Sequence, residues 1–335
     1  MRRLRSASPE RPSRVVLHIG APLTGTTYLR DILTRNRRRL TRFGVLYPSG
    51  HLGSDAGHLD AVLDVLDLAA DGGRSTTGAW DRLTQAARDW RRGTVLVSHE
   101  LLADADEDQV ARIVGGFGPV DVHVVYVARD LGRQLPLAWQ EWVRNGGTAT
   151  FEAYVDRVAR HDGHRLSRVF WRSHDVADVL ARWSDAVPAD RVHVVTVPQG
   201  PDQDTALWHR FARTVGIEPG RLRVGADRGR RLDAVAATEA ARLLNAGTTA
   251  RLPRELLAAV HGPAPALLDH HSGWVGEESE RFVEALKDGG YDVVGDVTDL
   301  RPGPDAWTDE PGRMHPGADD VVRAQTTLLA ALLGR

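Results

Sequence analysis

The sequence contains no cysteine, and of its 43 basic side chains only Lys287 is a lysine. The first absence excludes disulfide scaffolds, thiol catalysis, cysteine-ligated zinc and iron–sulfur clusters together. The second leaves arginine to carry almost all the positive charge. Arginine cannot replace lysine everywhere, because its planar fork differs from a compact point charge. Long apolar runs are missing as well. The basic stretch Met1–Arg14 is followed only by the apolar Val15–Ile19, too short for a signal core or a membrane span. Residues 1–14 therefore read as a disordered basic tail, and a cytoplasmic chain with no membrane partner is expected. Nor is there an excess of positive charge, since 45 acidic side chains leave a formal net charge of −2. That balance argues against a general nucleic-acid binder.

What is present is a chain of 335 residues, 42% of them hydrophobic, long enough to bury a substantial core. Val15–Ile19 reads as a buried strand, Gly20–Gly25 as a loop and Thr26 to Leu40 as one helix with Tyr28, Leu29, Ile32 and Leu33 on its apolar side. Gly44–Tyr47, Thr94–Ser98, Val122–Val127 and Val192–Val197 read as further strands, Val192–Val197 being the last. Helical periodicity covers 59–70, 79–91, 133–144, 205–215, 234–245, 254–260 and 276–288. The segments 216–232 and 301–318 read as loops. Short apolar strands alternating with amphipathic helices predict an α/β three-layer sandwich, a central parallel sheet flanked by helices. One domain over residues 15–302 is expected, with 303–335 forming a C-terminal loop and helix packed on it.

The strand–loop–helix opening is the first chemically specific feature. Gly20-Ala21-Pro22-Leu23-Thr24-Gly25-Thr26-Thr27 consists of small residues that let backbone N–H groups approach an oxyanion at a helix N-terminus. Thr26 and Thr27 can add hydroxyl donors. Gly20 and Gly25 fit the phosphate-loop spacing G-x-x-x-x-G-K-[ST], but Thr26 stands in the lysine position. This disfavours an ordinary ATPase, GTPase or nucleotide kinase, and Asp130 is the one acidic residue placed at a strand end to hold Mg²⁺.

His18 to Leu29 resembles the 5′-phosphosulfate loop of sulfotransferases that use 3′-phosphoadenosine 5′-phosphosulfate (PAPS). The chain resembles more closely an actinobacterial sulfotransferase-like family, through Val127-Ala128-Arg129-Asp130-Leu131, Trp139-Gln140-Glu141, Val192–Pro198 and Gly290–Asp296. The resemblance spans about residues 15–302 and implies a P-loop-type fold. It implies sulfuryl transfer from PAPS to a hydroxyl or amine of a small metabolite or glycan, without a metal. Adenosine 3′,5′-bisphosphate would be the product, and Pro22, Leu23, Thr24, Gly25, Thr26 and Thr27 would cradle the phosphosulfate. Arg129, after a central strand, would hold the 3′-phosphate; the serine the family has eight residues later is Leu137 here. Arg228-Gly229-Arg230 is a looser candidate to complete that site. The base that takes the acceptor proton would be Glu100 or His99, after the strand Thr94–Ser98. Adjacent residues point different ways, so only one can face the loop.

The family's loop lysine is Leu23 here. That lysine supports the bridging oxygen as charge develops, and losing one such donor costs about 10²–10³ in rate. Arg30, one turn into the helix, is a conceivable but geometrically poor substitute. Two readings therefore stay open: an enzyme, or a catalytically impaired nucleotide-binding or interaction protein on the same fold. His58 could line an acceptor pocket or be merely exposed, and Trp139, Trp142 and Tyr154 could grip an acceptor or pack in the core. The run Asp104–Asp108 reads as a solvated helix start. His51 and the pair His270-His271 show no convergent carboxylate in the sequence, so no metal site is expected.

Overall fold

The computed structural model describes residues 14–48, 56–70, 73–90, 93–224, 234–247, 265–309, 319–322 and 324–326. In chain order these residues form β1 (Arg14–Gly20), α1 (Thr26–Arg35), α2 (Arg37–Arg42), β2 (Val45–Leu46), α3 (Ala56–Val65), α4 (Ala79–Asp89) and β3 (Thr94–Ser98). Next come α5 (Glu107–Gly115), β4 (Val122–Ala128), α6 (Leu131–Arg144), α7 (Phe151–Ala159), α8 (Arg165–His174), α9 (Val176–Ser184), β5 (Val192–Thr196) and α10 (Gln203–Thr214). The last are α11 (Ala234–Gly247), β6 (Leu267–Leu268), α12 (Ser272–Asp288), β7 (Asp292–Val294) and β8 (Trp307–Thr308). No helix among the described residues is long and apolar enough to cross a membrane.

The chain divides into two compact units. The first comprises Met1–Ala128, Arg172–Gly225 and Phe282–Asp299, and holds a six-stranded sheet in the order β2-β3-β1-β4-β5-β7. Every pairing is parallel, with Leu17 opposite Val97 on one side and Val124 on the other. Valine-rich strands with almost no exposed residue are what a parallel sheet covered on both faces demands. On one face Val16, Leu96, Val125, Val127 and Val195 pack with Leu29, Ile32 and Leu33 of α1 and with Leu207, Trp208 and Phe211 of α10. The alternate residues Val15, Leu17, Val97, Val124 and Tyr126 are equally buried. They must therefore be covered on the opposite face, where the Tyr126 hydroxyl donates to the Ser173 carbonyl at 3.0 Å. The α/β three-layer sandwich with a parallel central sheet is thus present. The chain builds β2 and β3 on one side of β1 and then crosses to β4 on the other. In such sheets ligands bind beyond the carboxyl ends of the strands at the point where the order reverses.

The second unit comprises Arg129–Trp171, Ala226–Arg281 and Leu300–Arg335. Its α6 starts on the buried Asp130, whose carboxylate accepts the Arg133 N–H at 3.0 Å and pairs with the Arg133 guanidinium. The Trp139 indole packs on Phe151 and donates to the Ala149 carbonyl at 2.9 Å. Asn245 of α11 ties down the end of α6 through the carbonyls of Val143 and Gly147. Burial of Trp139 and Tyr154 makes them core residues of this unit.

Several local expectations change. The helix from Thr26 breaks at Asn36, whose side chain donates back to the Ile32 carbonyl and across to that of Arg223. Strand Val192–Thr196 is not the last: β7 adds an edge strand, and β8 pairs with β6 inside a segment that reads as loop. In the run Asp104–Asp108 only part is a solvated helix start. Asp106 forms a capping box with Gln109, whereas Asp104 lies inward, its carboxyl pushed up to about 6 by burial against the opposing pull of Arg172 and Arg182. The pair His270-His271 does meet a carboxylate, that of Asp156 on α7. The helix expected at 254–260, the Arg228-Gly229-Arg230 element, His51 and the 1–13 stretch lie outside the described residues.

Candidate functional site

Three features of the first unit meet at the carboxyl end of β1. The loop leaving β1 runs through Gly20 (φ 120°), Leu23 (φ 64°) and Gly25 (φ 99°) before α1 begins at Thr26. At Gly25 a Cβ would stand 2.6 Å from Leu207 Cδ2 of α10, so close packing and the left-handed backbone both require glycine. At Gly20 a Cβ would stand 3.1 Å from the Glu100 carbonyl oxygen; the turn after β3 thus presses against the loop's base. The loop holds its own shape: the Thr24 hydroxyl donates to the Ala21 carbonyl at 2.7 Å, and the Ala21 N–H donates to Val127 of β4 at 2.9 Å. Thr24 and Thr26 are buried and Thr27 is exposed. No side chain caps α1, and the first N–H groups of a helix have no partner within it.

Leu23 adopts a conformation rare for a branched side chain, costing on the order of 1–3 kcal/mol, and such strain concentrates at ligand-holding loops. Its side chain is apolar and half-buried. Within this unit the Arg30 guanidinium lies close enough to His99 to help hold that imidazole's pKa down.

The two candidate bases separate on geometry. His99 is buried and extended, and its Nδ1 accepts the Leu101 N–H at 3.2 Å, capping the 3-10 turn Glu100–Asp104. A neutral ring with Nδ1 as acceptor carries its proton on Nε2, so neither nitrogen is left to receive another without breaking the cap. Burial lowers its pKa further, against the pull of Glu100. Glu100 is half-buried at the first position of the turn.

Sequence reasoning missed His18, two residues before the loop's base at Gly20. It is fully buried; Nδ1 meets Ser98 Oγ at 2.7 Å, the ring stands edge-on to Phe211, and Nε2 has no hydrogen-bond partner among the described residues. Burial lowers its pKa to about 4, partly offset by Glu100. A histidine inside an otherwise apolar strand was the available signal. His58 is buried, not exposed: its ring contacts the Pro48 carbonyl through Nε2 at 2.8 Å and receives the Ser98 N–H on Nδ1 at 3.2 Å. Ser98 is thus gripped by two histidines, which fixes the strand end carrying His99 and Glu100.

In the second unit, half-buried Arg129 directly follows Ala128, the last residue of β4. Its neighbour Asp130 is committed to capping α6, and Leu137 stands half-buried on that helix.

No protein-family model matches the sequence, and no curated protein matches it. Among solved structures, a sulfotransferase from Alicyclobacillus acidocaldarius matches with 15% sequence identity, over 70% of this chain and 94% of that one, at a TM-score of 0.43.

Proposed function

We propose that this chain is a sulfotransferase-like protein whose β1–α1 loop binds the phosphosulfate of PAPS, or the 5′-phosphate of adenosine 3′,5′-bisphosphate. The observation that carries the reading is the loop itself. Glycines at positive φ open and close the loop, each with an atom of the protein tight against the place a Cβ would take, and an uncapped helix start supplies N–H donors and positive potential. The backbone of Pro22–Thr27 and the Thr26 and Thr27 hydroxyls would hold the phosphosulfate. Arg129 is assigned the 3′-phosphate through a charge-assisted contact.

The bound donor supplies an activated sulfuryl group whose bond to the phosphate oxygen breaks as the acceptor oxygen or nitrogen bonds to sulfur. Glu100 accepts the proton the acceptor loses, because His99 is occupied by its cap. Arg30 supplies the positive charge near the end of β3. The expected acceptor is a hydroxyl or amine of a small metabolite or glycan, and the setting is the cytoplasm. Residues 15–302 would form the functional domain, with 303–335 as its C-terminal extension.

A second reading rests on Leu23. With no ammonium on the loop, the anion site would survive while transfer is impaired, leaving a nucleotide-binding protein. Calorimetric titration with adenosine 3′,5′-bisphosphate tests both. No binding at millimolar ligand sinks both, and tight binding without transfer across a broad acceptor screen selects the second.

A further inference from the structure

Asp156 of α7 and the adjacent His270 and His271, in the 3-10 turn Asp269–His271, converge within the second unit although they are far apart in sequence. One ligand atom from each residue lies within 4.8 Å of the other two. His271 is only 3% exposed, yet its Nε2 has no hydrogen-bond partner among the described residues. Oδ1 of Asp156 stands 3.9 Å from that nitrogen. The gap is too long for a hydrogen bond but can be spanned by an ion bonded at about 2.0–2.2 Å to each atom.

We infer that Asp156, His270 and His271 form a binding site for a divalent transition-metal ion, zinc fitting best. Two imidazoles and one carboxylate with an open fourth position are a zinc donor set. His270 is exposed and the Asp156 side chain is 47% exposed, which gives the ion access from solvent. Glu152 stands one turn before Asp156 on α7, so the same helix face adds negative potential.

Trp274 makes occupancy visible. Its indole N–H donates to His271 Nδ1 at 3.2 Å, which keeps the ring proton on Nε2. An ion on Nε2 needs the lone pair there, so the ring proton must move to Nδ1 and the indole must release it. Metal binding therefore exchanges one hydrogen bond for coordination, with a change in the surroundings of Trp274.

The tag-free full chain, stripped with a chelator, is titrated with zinc chloride by calorimetry and with Co²⁺ by visible absorption. The site predicts one equivalent bound, with affinity falling about 10–100-fold or more in Asp156→Asn and in His270→Ala, as even outer-shell losses do. Both positions are partly exposed, so circular dichroism should match the parent; this keeps the test decisive should a His271 variant fail to fold. Trp274→Phe, which removes the competing donor, should bind at least as tightly and lose the zinc-dependent change in emission. Absence of binding, or full-strength binding in both Asp156→Asn and His270→Ala, overturns the site.

Discussion

His18 ties the stability of the sheet to pH in a way that can be worked through. The imidazole is fully buried with a pKa of about 4, against 6.5 for the free side chain, because burial penalises the cation. Between those two values the unfolded chain binds a proton that the folded chain refuses. Stability therefore rises with pH through this window and is lost as pH falls from about 6.5 towards 4. At roughly 1.4 kcal/mol per pH unit the difference amounts to about 3 kcal/mol. Asp104 runs the other way: its carboxyl, raised to about 6 from 3.8, favours the folded state below that range and loses the benefit as pH rises. Asp104 opposes His18, whereas His123, lowered to about 4 by burial and the neighbouring His193, acts in the same direction, so the parent profile mixes these groups and the variant isolates His18. His18→Asn keeps a polar atom for Ser98 but removes the titration. Urea unfolding of parent and variant from pH 4 to 7.5 should give a stability difference that grows by about 3 kcal/mol towards neutral pH. Parallel curves across that range would refute the argument, and so would an NMR titration placing the His18 pKa near 6.5.

Other consequences bear on the loop and the base. Gly25→Ala must accept a left-handed backbone and a contact 2.6 Å from Leu207; thermal melts should show a loss of about 1–3 kcal/mol, and calorimetry a loss of bisphosphate binding. Leu23→Lys meets the same backbone strain as leucine, so stability should hold. On an impaired enzyme, single-turnover transfer should rise about 10²–10³-fold; no gain with binding intact counts against a missing-lysine account. Glu100→Gln should cut turnover by about 10²–10⁴ with unchanged bisphosphate affinity. His99→Asn, which preserves a cap, should stay near the parent rate, and a reversed order would move the base to His99. Ser98→Ala strips the buried His18 Nδ1 of its partner and should cost about 1–3 kcal/mol in chemical denaturation.

How far the sequence was legible depends on the range of the interaction concerned. The strands β1, β3, β4 and β5 and the glycine-rich loop follow from contiguous residues: valine runs buried on both faces, and glycines where the backbone must turn at positive φ. His99 and Glu100 could be proposed because they follow directly on a strand. The choice between them needed the Leu101 N–H on His99 Nδ1. The break at Asn36 was hidden because its partner, the Arg223 carbonyl, is remote in sequence. Short edges such as β7 carry too little apolar pattern to be read without the strand they pair with.

The sequence by itself determined the α/β class, the glycine-rich loop between β1 and α1 and the absence of a lysine in it, since each depends on neighbours along the chain. Tertiary structure decided the strand order that places β1 between β3 and β4. It also decided the grip of His18 and His58 on Ser98, and the meeting of Asp156 with His270 and His271. Those are distances between residues far apart along the chain, set by how helices pack and strands pair, and no local periodicity encodes them.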